Sequence, residues 1–139
     1  MDPVARPTCH QRMSVDARYM LVLGESGRYE FKRDAEDVSP TVLGALANWV
    51  ALDPAREVAH LLVGVDEVED SKTGLVYGVP CGLPKGLDRS VARIQDIASK
   101  TRPIPVEVFI IEEAVGEEVP FLRVEVGPTM PPHFNDEGR

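Results

Sequence analysis

Three carboxylates stand where the chain is expected to turn: Glu25 between Gly24 and Gly27, Glu30 on the segment that follows, and Asp66 at the end of the apolar run Val58 to Val65. Side chains at strand ends and tight turns gather readily at one corner of a sheet. Two or three carboxylate oxygens held together there suit Mg²⁺ or Mn²⁺, whose hard octahedral shells prefer carboxylate and water. Such an ion can activate a water and stabilise a phosphoryl transition state, which makes Glu25, Glu30 and Asp66 candidate metal ligands and candidate catalytic residues. The plainer reading of the same residues is a set of solvated turn acids.

Basic residues supply the complementary chemistry. Fifteen Lys and Arg against 23 Asp and Glu leave a net charge of −8, which excludes a protein that coats nucleic acid through overall charge. Between Lys72 and Arg102, however, six basic residues face only Asp88 and Asp96. Lys85, Arg89 and Arg93 from this stretch, with Arg28, Lys32 and Arg33 near the acidic set, are the candidate phosphate contacts. Gly82-Leu-Pro-Lys85-Gly86 before a helix offers backbone N–H groups to an anion, but without the order of a nucleotide-binding loop. The histidines His10, His60 and His133 are scattered, and His60 inside an apolar run reads as a core or edge residue. Cys9 and Cys81 form no C-x-x-C pair and read as plain thiols.

The elements that must position these groups follow from periodicity. Residues 1–16 have no pattern and read as a flexible leader; Arg18 to Leu23 and Tyr29 to Lys32 read as two strands across the Gly24–Gly27 turn, with Phe31 inward and Glu30 and Lys32 sharing the other face. Ser39-Pro40 starts a helix, with Val42, Leu43, Leu46, Ala47 and Val50 as its apolar stripe and Asp53-Pro54 as its end. Val58 to Val65 reads as a central strand and Leu75 to Val79 as its hairpin partner across a loop at Glu67 to Gly74. Asp88 is the expected cap of a second helix, closed by Arg102-Pro103; Val106 to Ala114 and Val119 to Val126 form a last strand pair, before a proline-rich tail at 128–139. The sum is one α+β domain over 17–127, with a mixed, mostly antiparallel sheet of about six strands and two main helices. No apolar run is long enough to span a bilayer and the N-terminus lacks the pattern of a signal peptide, so the expected location is cytoplasmic, with no membrane partner.

The set Gly24-Glu25-Ser26, Glu30-Phe31-Lys32-Arg33, Ala45-Leu46-Ala47-Asn48, Leu62-Val63-Gly64-Val65-Asp66 and Val76-Tyr77-Gly78-Val79 resembles, in order and spacing, the AlbA-type domain of the Schlafen family. The likeness covers roughly residues 18 to 134. It implies a nucleic-acid-handling α+β domain, DNA-binding in many bacterial members and an endoribonuclease acting on transfer and ribosomal RNA in some animal members. By position, the family's metal-dependent acidic site falls on Glu25, Glu30 and Asp66, with Lys32 beside them. RNA is the expected partner if the chain is catalytic. The alternative is a non-catalytic DNA-binding, regulatory or assembly module, and because the animal nucleases use two such lobes, a lone lobe implies a homodimer or a larger assembly. The chain departs from the family at 49–60, which holds no glycine turn, and after the proline-rich segment the expectation is either a missing final strand or a shortened variant.

Overall fold

The computed structural model describes residues 9–25, 29–52, 58–101 and 106–127. Arg28, the Gly27 end of the first turn, Asp53-Pro54, Arg102-Pro103 and the segment from 128 onward lie outside the described residues. Three α-helices and six strands are described: α1 Val15–Leu23, β1 Tyr29–Lys32, α2 Pro40–Leu52, β2 Ala59–Val63, β3 Val65–Glu69, β4 Val76–Pro80, α3 Leu87–Ser99, β5 Val108–Glu113 and β6 Phe121–Val126. A short 3₁₀ turn at Ala35–Asp37 precedes α2. The fold is α+β with predominantly antiparallel pairing.

The strands form two sheets where one was expected. The larger has the order β1-β2-β6-β5, with β1 parallel to β2 and the other pairs antiparallel; β3 and β4 form a separate antiparallel ribbon. The parallel pair needs a crossover, and α2 supplies it. Along β2 every residue is buried, as its continuous apolar composition predicts. Alternation then divides it: Leu61 and Val63 face the core beneath α2 and α3, while Leu62 faces a second core with Ala17, Met20, Leu21, Phe31 and Phe121.

Four expectations are corrected. Arg18 to Leu23 is helical rather than extended, because Ser14 caps it, its Oγ accepting from the Ala17 N–H at 3.1 Å. Ala17, Met20 and Leu21 then fall at helical spacing on the buried side, leaving Tyr19 and Val22 exposed. With no strand before it, β1 pairs with β2 instead of forming a hairpin. Residues 9–16 do not behave as a leader: Cys9 bridges to Glu112 in parallel, and His10 N–H donates to the Glu112 carbonyl at 2.8 Å. The Val58 to Val65 run breaks at Gly64, so the hairpin partner of β4 is β3, which carries Asp66 and extends to Glu69 through part of the expected loop.

The start of α2 is as expected, with Ser39 Oγ accepting from Val42 N–H at 3.3 Å and Leu43, Leu46, Ala47 and Val50 buried. The start of α3 is not. Gly86, rather than Asp88, is its cap, with no side-chain hydrogen bond to the first turn. Helix α1 lies against β4 at Gly78, where a Cβ would meet Phe31 Cε2 at 2.7 Å and Leu21 Cδ2 at 2.8 Å, so any larger residue would force those core side chains to shift. Among the described residues no helix is long and apolar enough to cross a membrane.

Candidate functional site

Glu25 follows the end of α1 and turns its carboxylate onto β1, where Oε1 accepts from the Phe31 N–H at 3.0 Å. The residue is exposed, yet its carboxylate loses part of its hydration against the strand. That burial raises its pKa above the ordinary 4.5; the Phe31 hydrogen bond opposes the rise, the charges of Glu30 and Glu67 add to it, and Lys32 lowers it. Glu25, Glu30, Glu67 and Lys32 therefore form one electrostatic neighbourhood. Glu30 and Lys32 do share a face of β1, with Lys32 Nζ 3.6 Å from Glu30 Oε1, while Phe31 is buried between them as alternation requires.

Asp66 stands apart from this group. Successive residues of a strand project to opposite faces, so Asp66 and Glu67 diverge along β3. Asp66 Oδ1 lies 3.8 Å from Arg33 Nε and accepts from the Glu67 N–H at 2.9 Å. Glu67, which the sequence reading placed in a loop, is the carboxylate whose charge acts on Glu25. The signal that would have found it is the Gly64 break, which shifts the strand and its alternation. Among the described residues, no three of His, Cys, Asp and Glu are grouped so as to hold a metal ion.

The raised pKa of Glu25 has a measurable consequence. The folded chain holds this proton to higher pH than the unfolded chain, so stability falls as pH rises above about 4.5 and the loss is complete once the folded carboxyl ionises. Glu25→Gln keeps an acceptor for the Phe31 N–H and removes the charge. It is expected to unfold at a higher temperature than the parent at pH 7, with the two melting curves converging near pH ~3, where the parent carboxyl is also neutral. A variant that melts lower than the parent at pH 7 would mean that the ionised form is the one the fold favours.

The basic candidates separate into two groups. Lys32 and Arg33 are engaged by Glu30 and Asp66. Lys85, Arg89 and Arg93 instead line one cleft of about 270 Å³ with Ala35, Glu36, Ser90 and Ala92, between the 3₁₀ turn and the first half of α3. Helical spacing explains the convergence, since residues 89 and 93 are one turn apart and Lys85 lies just before the helix. Glu36 is in the same wall, its Oε2 3.8 Å from Arg93 Nε.

A third charged group escaped the sequence reading. Glu113, fully buried at the end of β5, takes Ser14 N–H at 2.8 Å, Ser14 Oγ at 2.6 Å and Arg123 Nε at 3.0 Å. One carboxylate thus ties the cap of α1 to β5 and β6. Strand alternation marked neither Glu113 nor Arg123 as paired, because the contact is diagonal across the hairpin and its third member is 99 residues away in sequence.

No family model and no curated protein matches the chain. Among solved structures, it is similar to the N-terminal domain of an ATP-dependent DNA helicase RecG-related protein from Nitrosomonas europaea, determined in solution, with a TM-score of 0.66 and 24% identity over 86% of this chain and 76% of that one. That similarity establishes a shared fold. The DIP2311 protein of Corynebacterium diphtheriae also aligns, over 88% of this chain and 23% of that one at 18% identity, but its TM-score of 0.37 carries no argument.

Proposed function

We propose that this chain is a nucleic-acid-binding module of the Schlafen AlbA type that holds its target without cutting it. The observation that carries this reading is the convergence of Lys85, Arg89 and Arg93 on one cleft of a protein whose net charge is −8. A cationic cleft on a protein of net negative charge draws polyanions to itself while the average field of the rest opposes them, which orients the encounter. Among the described residues neither Lys85 nor Arg89 has an ion-pair partner, so both remain available to phosphate oxygens. The fold shared with a helicase-related domain, and the Schlafen-like order of motifs, support the same partner class.

The Mg²⁺ or Mn²⁺ that the resemblance implies fits the acidic residues poorly. Glu25 and Glu30 act on one another, but Asp66 is turned to Arg33, so the three do not offer their oxygens to one ion. Glu25, Glu30 and Asp66 are read instead as groups that set local charge and hold turns. Glu25 does so by accepting from the Phe31 N–H within β1.

Fluorescence anisotropy with labelled duplex DNA and transfer RNA, from about 50 to 200 mM salt, tests the proposal. Three phosphate contacts predict a slope of log K against log salt of about −2 to −3. Lys85→Gln is expected to reduce the magnitude of that slope by about 1, while Arg18→Gln on the exposed side of α1 leaves it unchanged. No binding at low salt, or a slope indifferent to Lys85, would refute the proposal. Mn²⁺-dependent cleavage of the transfer RNA that Glu30→Gln abolishes would overturn the binding-only reading.

A further inference from the structure

We propose that the cleft between the 3₁₀ turn and α3 is a receptor for a phosphate monoester, the terminal phosphate of a nucleic-acid strand or of a free mononucleotide. This deepens the nucleic-acid reading and rests on it for the strand-end source. Backbone phosphates are diesters with one charge each, whereas a terminal monoester carries about two at pH 7 and three strong acceptor oxygens. The cleft matches the second kind.

Its wall contains two buried donors with no hydrogen-bond partner, Ser90 Oγ and Arg93 Nε. Ser90 is 1% exposed. A buried hydroxyl normally finds an acceptor, and leaving one unpaired is destabilising. Two unpaired donors in one wall, each with almost no surface open to solvent, can be satisfied by an acceptor that enters as the long side chains of Lys85 and Arg89 in the same lining move aside. Lys85 and Arg89 bracket the N-terminus of α3, whose cap Gly86 has no side chain to satisfy the first-turn N–H groups; the positive end of the helix dipole adds to the attraction for an anion, with Asp88 in the first turn opposing it.

Charge is complementary as well. Lys85, Arg89 and Arg93 against Glu36 leave two positive charges in the lining, opposite the two of a monoester. Glu36 lies 3.8 Å from Arg93 Nε, too far for a hydrogen bond, so it holds the guanidinium in place without consuming its donor. The volume of about 270 Å³ is several times the share of one water, ~30 Å³, and accommodates a phosphate together with the sugar attached to it.

The experiment compares 10-nucleotide single strands carrying a phosphate at the 5′ end, at the 3′ end or at neither, with adenosine monophosphate and inorganic phosphate as competitors. One phosphorylated strand is expected to bind at least about tenfold tighter than the hydroxyl-ended strand, the size of one hydrogen bond to a charged group. Arg93→Gln and Ser90→Ala are each expected to remove most of that preference. Ser90→Ala also separates binding from folding, because it deletes an unpaired buried hydroxyl and should leave the melting temperature equal or higher. Equal binding of all three strands, or a preference that survives both substitutions, overturns the inference; if salt-dependent strand binding persists in that case, the nucleic-acid reading still stands. Adenosine monophosphate binding that both substitutions weaken, with no strand bound at all, supports the receptor, assigns it to free nucleotides and removes the nucleic-acid reading.

Discussion

Glu113→Ala is expected to lose about 3 kcal/mol of stability in urea unfolding, the lower end of the cost of depriving a buried charge of its hydrogen-bonded partner. Glu113 has no exposed surface and Arg123 is 5% exposed in its side chain, so removing the carboxylate leaves a buried guanidinium with the longer contact of its Nη1 to the half-buried Glu125 carboxylate, at 3.6 Å, in place of its hydrogen-bonded partner. The same oxygens accept both donors of Ser14, whose own Oγ caps α1. The substitution therefore releases the first turn of α1 along with the β5 and β6 hairpin. Hydrogen exchange should be faster in α1 than in α2, which is capped independently by Ser39. The double variant Glu113→Leu with Arg123→Met is expected to be less destabilised than Glu113→Ala alone, since no charge is left buried. A single-site loss below about 1 kcal/mol would mean that water enters and the pair contributes little.

Gly64→Val is expected to cost about 3 kcal/mol or more. Its φ of +89° lies in a region that L side chains rarely adopt, at a cost of about 1–3 kcal/mol. A Cβ there would also meet Leu83 Cδ2 at 2.9 Å and the Gly82 carbonyl at 3.1 Å, an overpacking cost of about the same size. Gly64 joins the two sheets: its N–H donates to the Lys32 carbonyl at the end of β1, and its carbonyl accepts from Cys81 N–H beyond β4, both at 2.8 Å. Gly82 and Leu83 lead into Lys85 and α3, so a shift of this segment is expected to displace Lys85 at the cleft. Thermal unfolding measures the stability loss, and the anisotropy assay should register weaker strand binding at temperatures where the variant remains folded. If the melting temperature is unchanged, the 82–83 segment yields freely and Gly64 is not a fixed hinge.

The two acidic expectations fared differently for a reason that lies in this hinge. Glu30 and Lys32 share a face because alternation over four residues suffices to place them. Asp66 follows a glycine with positive φ, and a single such residue resets which side each later side chain takes. Reading Val58 to Val65 as one strand that ends at Asp66 put Glu67 in a loop, whereas the chain begins a new strand after Gly64 that carries both residues. The stretch at 18–23 failed similarly, since a short apolar run suits strand or helix equally and is decided by its ends. Here the deciding contact is Ser14 held by Glu113, far along the chain.

Composition and local pattern were enough to specify an α+β chain, the Ser39-Pro40 start of α2, the buried β2, the helical spacing that aligns Arg89 with Arg93, and an acidic protein with one basic stretch. Those features depend on neighbours within a turn or two, where periodicity and capping act. Only tertiary structure decided that β1 joins β2 in parallel, that β3 and β4 form their own ribbon, that Asp66 meets Arg33, and that Ser90 and Arg93 keep unpaired donors beside Glu36. Each of these brings together groups distant in sequence. Their geometry follows from how the sheets and helices pack on one another, which no local spacing encodes.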